Sequence, residues 1–401
     1  MKNPIVLMCL ALATGCIEAA PNTTNSRPDL GVDAATPDVS TADDMGSSDA
    51  TGSGDTNDPP DADPPDLGDQ TPWADDAYTH RVRIDLRQGK KDTVLRVDVP
   101  ILQRDKLPAF NPETVRFFSS QGGDYIHEHE RSGIASAETY WVRGDFDQAS
   151  HIWMYWGSTA VASNPAQTWE EFSAVYHFAK NFTEGNSVDG EQGACAQPCN
   201  TGDGVGQGAG LATTMGQVFS ATPSTPGAIH VADGDVLTVS LWYASSDTTQ
   251  NATLVDAMKD CVGWRAVTED GQVRVEFGTQ FNDDVCTDAG RVKAGGEFGS
   301  GGGWHNLVFT VDRESQMPQL TVWIDGNRVD SQPILSAGEA SLAEKFAVGA
   351  TFDGTTPFIG RLDEFRMIRR AATDSEVAFE NANIKGEITD LDTTSVQARG
   401  F

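Results

Sequence analysis

Several places in this sequence hold side chains whose types and spacing could do chemistry. His127-Glu128-His129-Glu130 alternates imidazole and carboxylate; on a strand, His127 and His129 would face one side, Glu128 and Glu130 the other. Two imidazoles on one face suit a transition metal, yet a third ligand is not identifiable, and solvated strand positions are the competing reading. Asp363-Glu364 is a pair of adjacent carboxylates. Glycoside hydrolysis needs two carboxyl groups projecting together, and strand neighbours point oppositely unless a bulge intervenes. Gly202-x-Gly204-x-Gly206-x-Gly208 matches a phosphate-cradling loop only in its glycines; it does not open a helix after a strand and reads as a flexible loop. Neither Gly-x-Ser-x-Gly nor His-Glu-x-x-His occurs.

Six cysteines are present. Cys9 and Cys16 lie near the N-terminus, leaving Cys195, Cys199, Cys261 and Cys286, which allow three pairings. Cys261 and Cys286 bracket a predicted hairpin with strands near Trp264–Val267 and Val273–Gly278, so a disulfide at its open end is expected. Cys195 and Cys199 could close a small loop. Zinc held by four thiolates is the rival, and an oxidising compartment favours disulfides.

The elements that must position these groups are β-strands. The chain has 401 residues, 40 of them glycine, and a net charge of −31 from 59 acidic and 28 basic residues. Such a balance excludes a nucleic-acid footprint and adsorption to anionic lipid through a basic patch. Lys2 followed by the apolar run Ile5–Ala13 reads as an export signal. Ala13-Thr14-Gly15-Cys16 resembles the lipobox of bacterial lipoproteins, with Ala13 where leucine is usual, which implies lipidation of Cys16. Residues 17–72 contain one basic residue, Arg27, and no aromatic; Asp, Pro, Gly, Ser and Thr fill them. That composition buries too little apolar surface to offset chain entropy and predicts an extended acidic linker. It lacks the spacing of a calcium-binding helix–loop–helix.

Beyond Trp73, apolar and polar residues alternate. Val82, Ile84 and Leu86 form one predicted strand, Leu95, Val97, Val99 and Ile101 another. Arg116-Phe117-Phe118 and Tyr140-Trp141-Val142 follow. Ser150–Gly157 is apolar or aromatic on both faces, as for a strand covered on two sides. The Arg-Ile opening, the Val-Arg-Phe-Phe strand, Tyr-Trp-Val and Trp153-Met154-Tyr155-Trp156-Gly157 together resemble bacterial domain of unknown function 2341. The resemblance covers 73–170 and implies a small β domain of exported proteins.

From Phe172 onward the pattern changes partner. Leu237, Val239, Leu241 and Tyr243 share a face, as do Leu307, Phe309 and Val311, and Leu320, Val322 and Ile324 before the turn Asp325-Gly326-Asn327. Phe346-Ala347-Val348-Gly349 and Gly360-Arg361-Leu362-Asp363-Glu364-Phe365-Arg366 complete the series. Ala372–Val377 predicts a short helix capped by Thr373 or Asp374. This order resembles the laminin-G-like, concanavalin-A-like jelly roll, placed at 171–385, with 386–401 left as a tail. The expected fold class is therefore all-β: an antiparallel sandwich preceded by a smaller β domain.

The resemblance implies further roles. Its early turn corresponds to Ser187-Val188-Asp189-Gly190, after which a Gly- and Cys-containing insertion runs to Gly210. Calcium held by Asp189 and Asp363 is expected from the family and suits an acidic exported protein; a structural Asp363 is the alternative. Trp242 and Trp323 lie on the polar faces of their strands and could stack on a sugar ring or fill the sandwich. The function expected is recognition without catalysis. A lipid-anchored protein of the outer membrane or cell surface would bind a glycan or a protein partner. A polysaccharide hydrolase and a structural spacer are the other readings.

Overall fold

Alternating residues sort onto two faces wherever a strand was expected, and three antiparallel sheets result. The computed structural model describes residues 72–130, 136–159, 161, 163–179, 183–195, 200–205, 209–213, 217–223, 227–279, 291–299, 302–335, 338 and 343–399. Cys16 and the linker to residue 71 lie outside the described residues, as do Cys199 and Cys286. Among the described residues, no helix is long and apolar enough to cross a membrane.

The first sheet has seven strands in the order Thr93–Pro100, Ala137–Gly144, Asp124–Glu130, Arg116–Ser119, His151–Trp156, His80–Leu86, Thr389–Ala398. Val82, Ile84, Leu95, Val97 and Val99 point into one core with Phe117, Tyr140 and Met154. Strand His151–Trp156 is internal, and its faces divide as the two-sided pattern requires. Ile152, Met154 and Trp156 enter that core, while Trp153 and Tyr155 pack with Tyr78 and Phe118 on the other side.

One boundary is corrected here. The presumed tail folds as strand Thr389–Ala398, antiparallel to His80–Leu86, with Ile84 opposite Leu391. Leu391 and Val396 pack on the first core, which also takes Phe379 and Ile388. The stretch alternates too weakly to announce itself, and its partner strand lies some three hundred residues upstream. Hence Thr389–Ala398 forms one edge of the first sheet.

The sandwich is built from two eight-stranded sheets. One runs Asn200–Asp203, Ala209–Thr213, Gly360–Ile368, Val236–Ala244, His305–Asp312, Gln319–Ile324, Asn327–Pro333, with Phe172–Tyr176 also on Gly360–Ile368. The other runs Arg291–Glu297, Gln272–Gly278, Val262–Glu269, Ala252–Lys259, Phe346–Val348, Phe219–Ala221, Gln192–Cys195, Thr183–Gly185. Leu237, Val239, Leu241, Leu307, Phe309, Leu320 and Val322 of the former meet Leu254, Trp264, Val273, Val275 and Phe277 of the latter in one buried core. Asp270-Gly271 and Asp325-Gly326 supply the left-handed residues of two tight hairpins, with φ of 52° and 77°, and 51° and 82°. Helix Asp374–Ile384 begins with a capping box in which Thr373 and Glu376 exchange side-chain and backbone bonds.

The sandwich sheet carrying Val236–Ala244 turns its outer face toward the first sheet, and helix Asp374–Ile384 lies with them. Asn383 joins them directly: fully buried, it accepts from the Arg96 amide at 2.9 Å and donates to the Val94 carbonyl at 2.8 Å. Pro64–Phe401 is one compact unit.

Candidate functional site

The covered outer face of that sheet holds a cluster of ionised side chains. Strand Gly360–Ile368 delivers the first of them through a bulge. Its register against Val236–Ala244 shifts between Ser240 and Trp242, which pair with Arg366 and Asp363. Glu364 takes φ 49° at that point. Leu362 and Phe365 both point into the sandwich core, so Asp363 and Glu364 are left together on the opposite face. The condition set by the sequence for a shared site is thus met, though in a place closed to water.

Glu364 is 2% exposed. Both its oxygens lie 3.0 Å from His177 Nδ1, and Oε2 accepts from Arg366 at 2.6 Å. The other ring nitrogen of His177 reaches Glu128 Oε2 at 3.1 Å. Glu128 also accepts from the Ser187 hydroxyl at 2.8 Å and from the Trp169 indole. Glu130 accepts from Trp141 Nε1 at 3.0 Å and stands 3.9 Å from His177. The Arg366 guanidinium sits between the rings of Trp141 and Trp169, at 4.5 and 4.6 Å, and also pairs with Glu380. Arg96 supplies a second buried guanidinium, bonded to Asp98 and to the Ile384 carbonyl.

These contacts set the protonation states. Burial disfavours the His177 imidazolium, but Glu364 and Glu128 outweigh it and raise His177 well above its usual range. Burial alone would raise Glu364; His177 and Arg366 overcome that and hold it at about 2. Glu128 is lowered against its burial by the same imidazolium. Burial pushes Glu130 up to about 7, with His177 opposing and Glu364 reinforcing. Asp363 rises well above the carboxylate range through burial, then Glu364 and Glu130.

The His-Glu-His-Glu strand does split by face, but none of it is solvated: the four residues are 6–9% exposed. Its imidazoles pack on aromatics, His129 stacked on Tyr140 at 4.7 Å and His127 edge-on to Phe117 at 5.4 Å. His129 Nε2 lies 2.8 Å from Glu138. Burial and His129 lower His127 to about 4. The glutamates, not the histidines, face the cluster.

The calcium expectation does not fit the donors present. Asp363 is 1% exposed, and its oxygens already accept from the amides of Val205 and Glu364 at 2.8 and 2.9 Å. Its environment favours the neutral acid. Asp189 lies on an exposed turn and accepts from the Glu191 amide at 3.0 Å. Calcium takes about six to eight oxygen ligands converging on one point, ionised carboxylates among them. These two carboxyls do not provide them, and neither is assigned as a metal ligand.

Trp242 and Trp323 are not available to a sugar. Trp242 is 0% exposed, packed among Val94, Trp141, Trp169 and Ile384. Trp323 is 3% exposed and donates to Asp374 at 2.8 Å. Polar neighbours in sequence suggested an open face; the first sheet and the helix cover it. Cys195 and Cys261 are each disulfide-bonded, while their expected partners, Cys199 and Cys286, lie outside the described residues.

Beside the cluster opens a small cleft. Val94, Trp169, Phe172, Val308, Ile368 and Val377 give it an apolar floor. Four cations, Lys90, Arg143, Arg366 and Arg370, and four anions, Asp92, Glu171, Glu376 and Glu380, ring it. Arg143 meets Glu171 at 3.0 Å and Arg370 meets Glu376 at 3.0 Å. In a chain of net charge −31, this cleft is locally balanced. Sequence reasoning missed it, because its walls come from the first sheet, the sandwich and the helix together. It missed His177 as well, although a lone histidine inside Ala174-Val175-Tyr176-His177-Phe178 was a signal that could have been followed.

Residues 217–378 match the family model described as the concanavalin A-like lectin/glucanases superfamily. No curated protein is a significant match for the chain. Among solved structures, the receptor binding domain of botulinum neurotoxin mosaic serotype C/D aligns at 11% identity and TM-score 0.42, covering 55% of this chain and 51% of that one. The binding domain of Paraclostridial Mosquitocidal Protein 1 aligns at 16% identity and TM-score 0.43, over 53% and 52%. The botulinum neurotoxin serotype G binding domain aligns at 14% and 0.42, over 52% and 50%. This chain thus spans about half the length of each.

Proposed function

We propose that this chain is an exported binding protein, held to the bacterial envelope by lipid on Cys16, whose cleft recognises a glycan without cleaving it. The acidic linker carries the folded unit away from the membrane. The first sheet is a module of the domain of unknown function 2341 type, and disulfides Cys195–Cys199 and Cys261–Cys286 secure the sandwich.

The carrying observation is the lining of the cleft. A sugar ring has an apolar face and a polar edge. The half-buried Phe172 suits the former, backed by Ile368 and Val377, and the balanced rim suits the latter. Equal numbers of cations and anions favour a neutral glycan over a polyanion or polycation. The buried carboxylates next door are unsuited to glycoside hydrolysis, since substrate has no route to them and Glu364 is committed to His177 and Arg366.

A glycan array probed with the purified folded unit tests this reading. Retention of neutral oligosaccharides, with no reducing ends released over time, is the expected outcome. Release of reducing sugar would replace recognition by hydrolysis. No retention at millimolar glycan would end the proposal.

A further inference from the structure

The ion cluster poses an accounting problem of its own, independent of what the cleft binds. Of four buried carboxyls, Asp363 is held neutral by its burial, and Glu128, Glu130 and Glu364 face three buried cations, Arg96, His177 and Arg366. Beyond them, Asp98 and Glu380 also draw on Arg96 and Arg366. An uncompensated charge in such a place is expensive, so something must supply the missing positive charge.

A metal ion is one candidate, because Glu130, His177 and Glu364 offer ligand atoms within 4.8 Å of one another. The detailed geometry argues against it. His177 Nδ1 lies equally far, 3.0 Å, from both Glu364 oxygens, the arrangement of an N–H shared between two acceptors. Its Nε2 faces Glu128 at 3.1 Å. An imidazole donating from both nitrogens has no lone pair for a metal. Two arginines press on the same carboxylates, and a divalent cation would be repelled by both.

A proton is the better fit, and its position follows from the partners. Glu128 receives an imidazolium, an indole and a hydroxyl. Glu364 receives the imidazolium and a guanidinium. Among the described residues, Glu130 has only the Trp141 indole within hydrogen-bond reach, with His177 farther off at 3.9 Å. The charged groups acting on Glu130 are Arg96 from the first sheet, His177, and Glu364 and Asp363 from the sandwich, with Glu128 on the same face of its own strand and Arg366 and Glu380 beyond Glu364.

We infer that the cluster is a proton-binding site, with the proton on Glu130, and that this proton locks the first sheet onto the sandwich. The direction of the pH dependence follows. Glu130 titrates near 7 when folded, above its ordinary 4.5. Its contribution is complete below about 4.5 and is lost as pH rises through about 7.

The test is proton release on unfolding, read with an indicator dye in weakly buffered guanidinium at pH 6, for wild type and Glu130→Gln. Glutamine keeps the shape and mimics the protonated acid. Wild type should release roughly one proton more than the variant. Between pH 5 and 7 its folding equilibrium constant should fall up to about tenfold per pH unit more steeply than that of the variant, and the two should run parallel above about pH 8. Should Glu130→Gln not fold, the infrared carboxylic-acid band of folded wild type should lose the Glu130 share of its amplitude between pH 6 and 8, leaving that of Asp363. Equal release from both proteins, or a band that does not titrate, overturns the proposal. So does stoichiometric metal in the purified wild type whose chelation lowers its melting temperature.

Discussion

Two neighbouring regions of this molecule use the same kinds of residue to opposite ends. In the cluster, charges are dry: Glu364, His177 and Arg366 are about 2% exposed and pair with one another, with Glu128 and with Glu380. In the cleft, a few ångströms of side chain away, charges stay at the rim. Arg370 and Glu376 keep 47% and 26% of their side-chain surface. Arg366 belongs to both, anchored in the cluster and lining the cleft. The difference teaches where each can act. A dry pair is dear to break and fixes how two layers meet, whereas a wet pair is cheap to rearrange around a ligand.

The sharpest way to break that contrast is Glu364→Ala. It strands His177 and Arg366 as buried cations without their main partner, and about 3–5 kcal/mol of stability should be lost in denaturant titration. Acid gives the same message. Glu364 sits at about 2 when folded against an ordinary 4.5, so its contribution is full above about 4.5 and disappears as pH falls toward 2. The gap between wild type and variant should therefore narrow over that window. A gap that stays constant there would mean that Glu364 is not ion-paired.

Smaller effects sharpen the picture. Thr373→Ala removes the capping box of the helix that walls the cleft, and about 1 kcal/mol should go with it in the same titration. Arg328 and Asp374 are a wet pair, with side chains 52% and 55% exposed. Arg328→Ala should change stability by less than about 0.5 kcal/mol. A loss as large as that of Glu364→Ala would remove the distinction between the regions.

Much of the fold was legible because strand alternation is a local signal. Val82, Ile84, Leu95 and Val97 announced the first core, and Leu237 to Tyr243 the second. Asp270-Gly271 and Asp325-Gly326 fixed two hairpins through the left-handed backbone they favour. What stayed hidden depends on long-range assembly. No local pattern tells that Thr389–Ala398 returns to pair with His80–Leu86. None tells that the face bearing Trp242 is covered, and so the tryptophan looked open. The bulge at Glu364 illustrates the boundary best. Residue spacing showed that Asp363 and Glu364 needed one to meet, but only the pairing with Val236–Ala244 reveals that it exists.

The central claim is that the cleft recognises a glycan, and isothermal calorimetry tests it most directly. A neutral oligosaccharide retained on the array would be titrated into wild type and Phe172→Ala. The account predicts one site per chain and at least about tenfold weaker binding to the variant, equivalent to about 1.4 kcal/mol. Unchanged affinity in Phe172→Ala, with the variant still folded, would place recognition elsewhere and contradict the account.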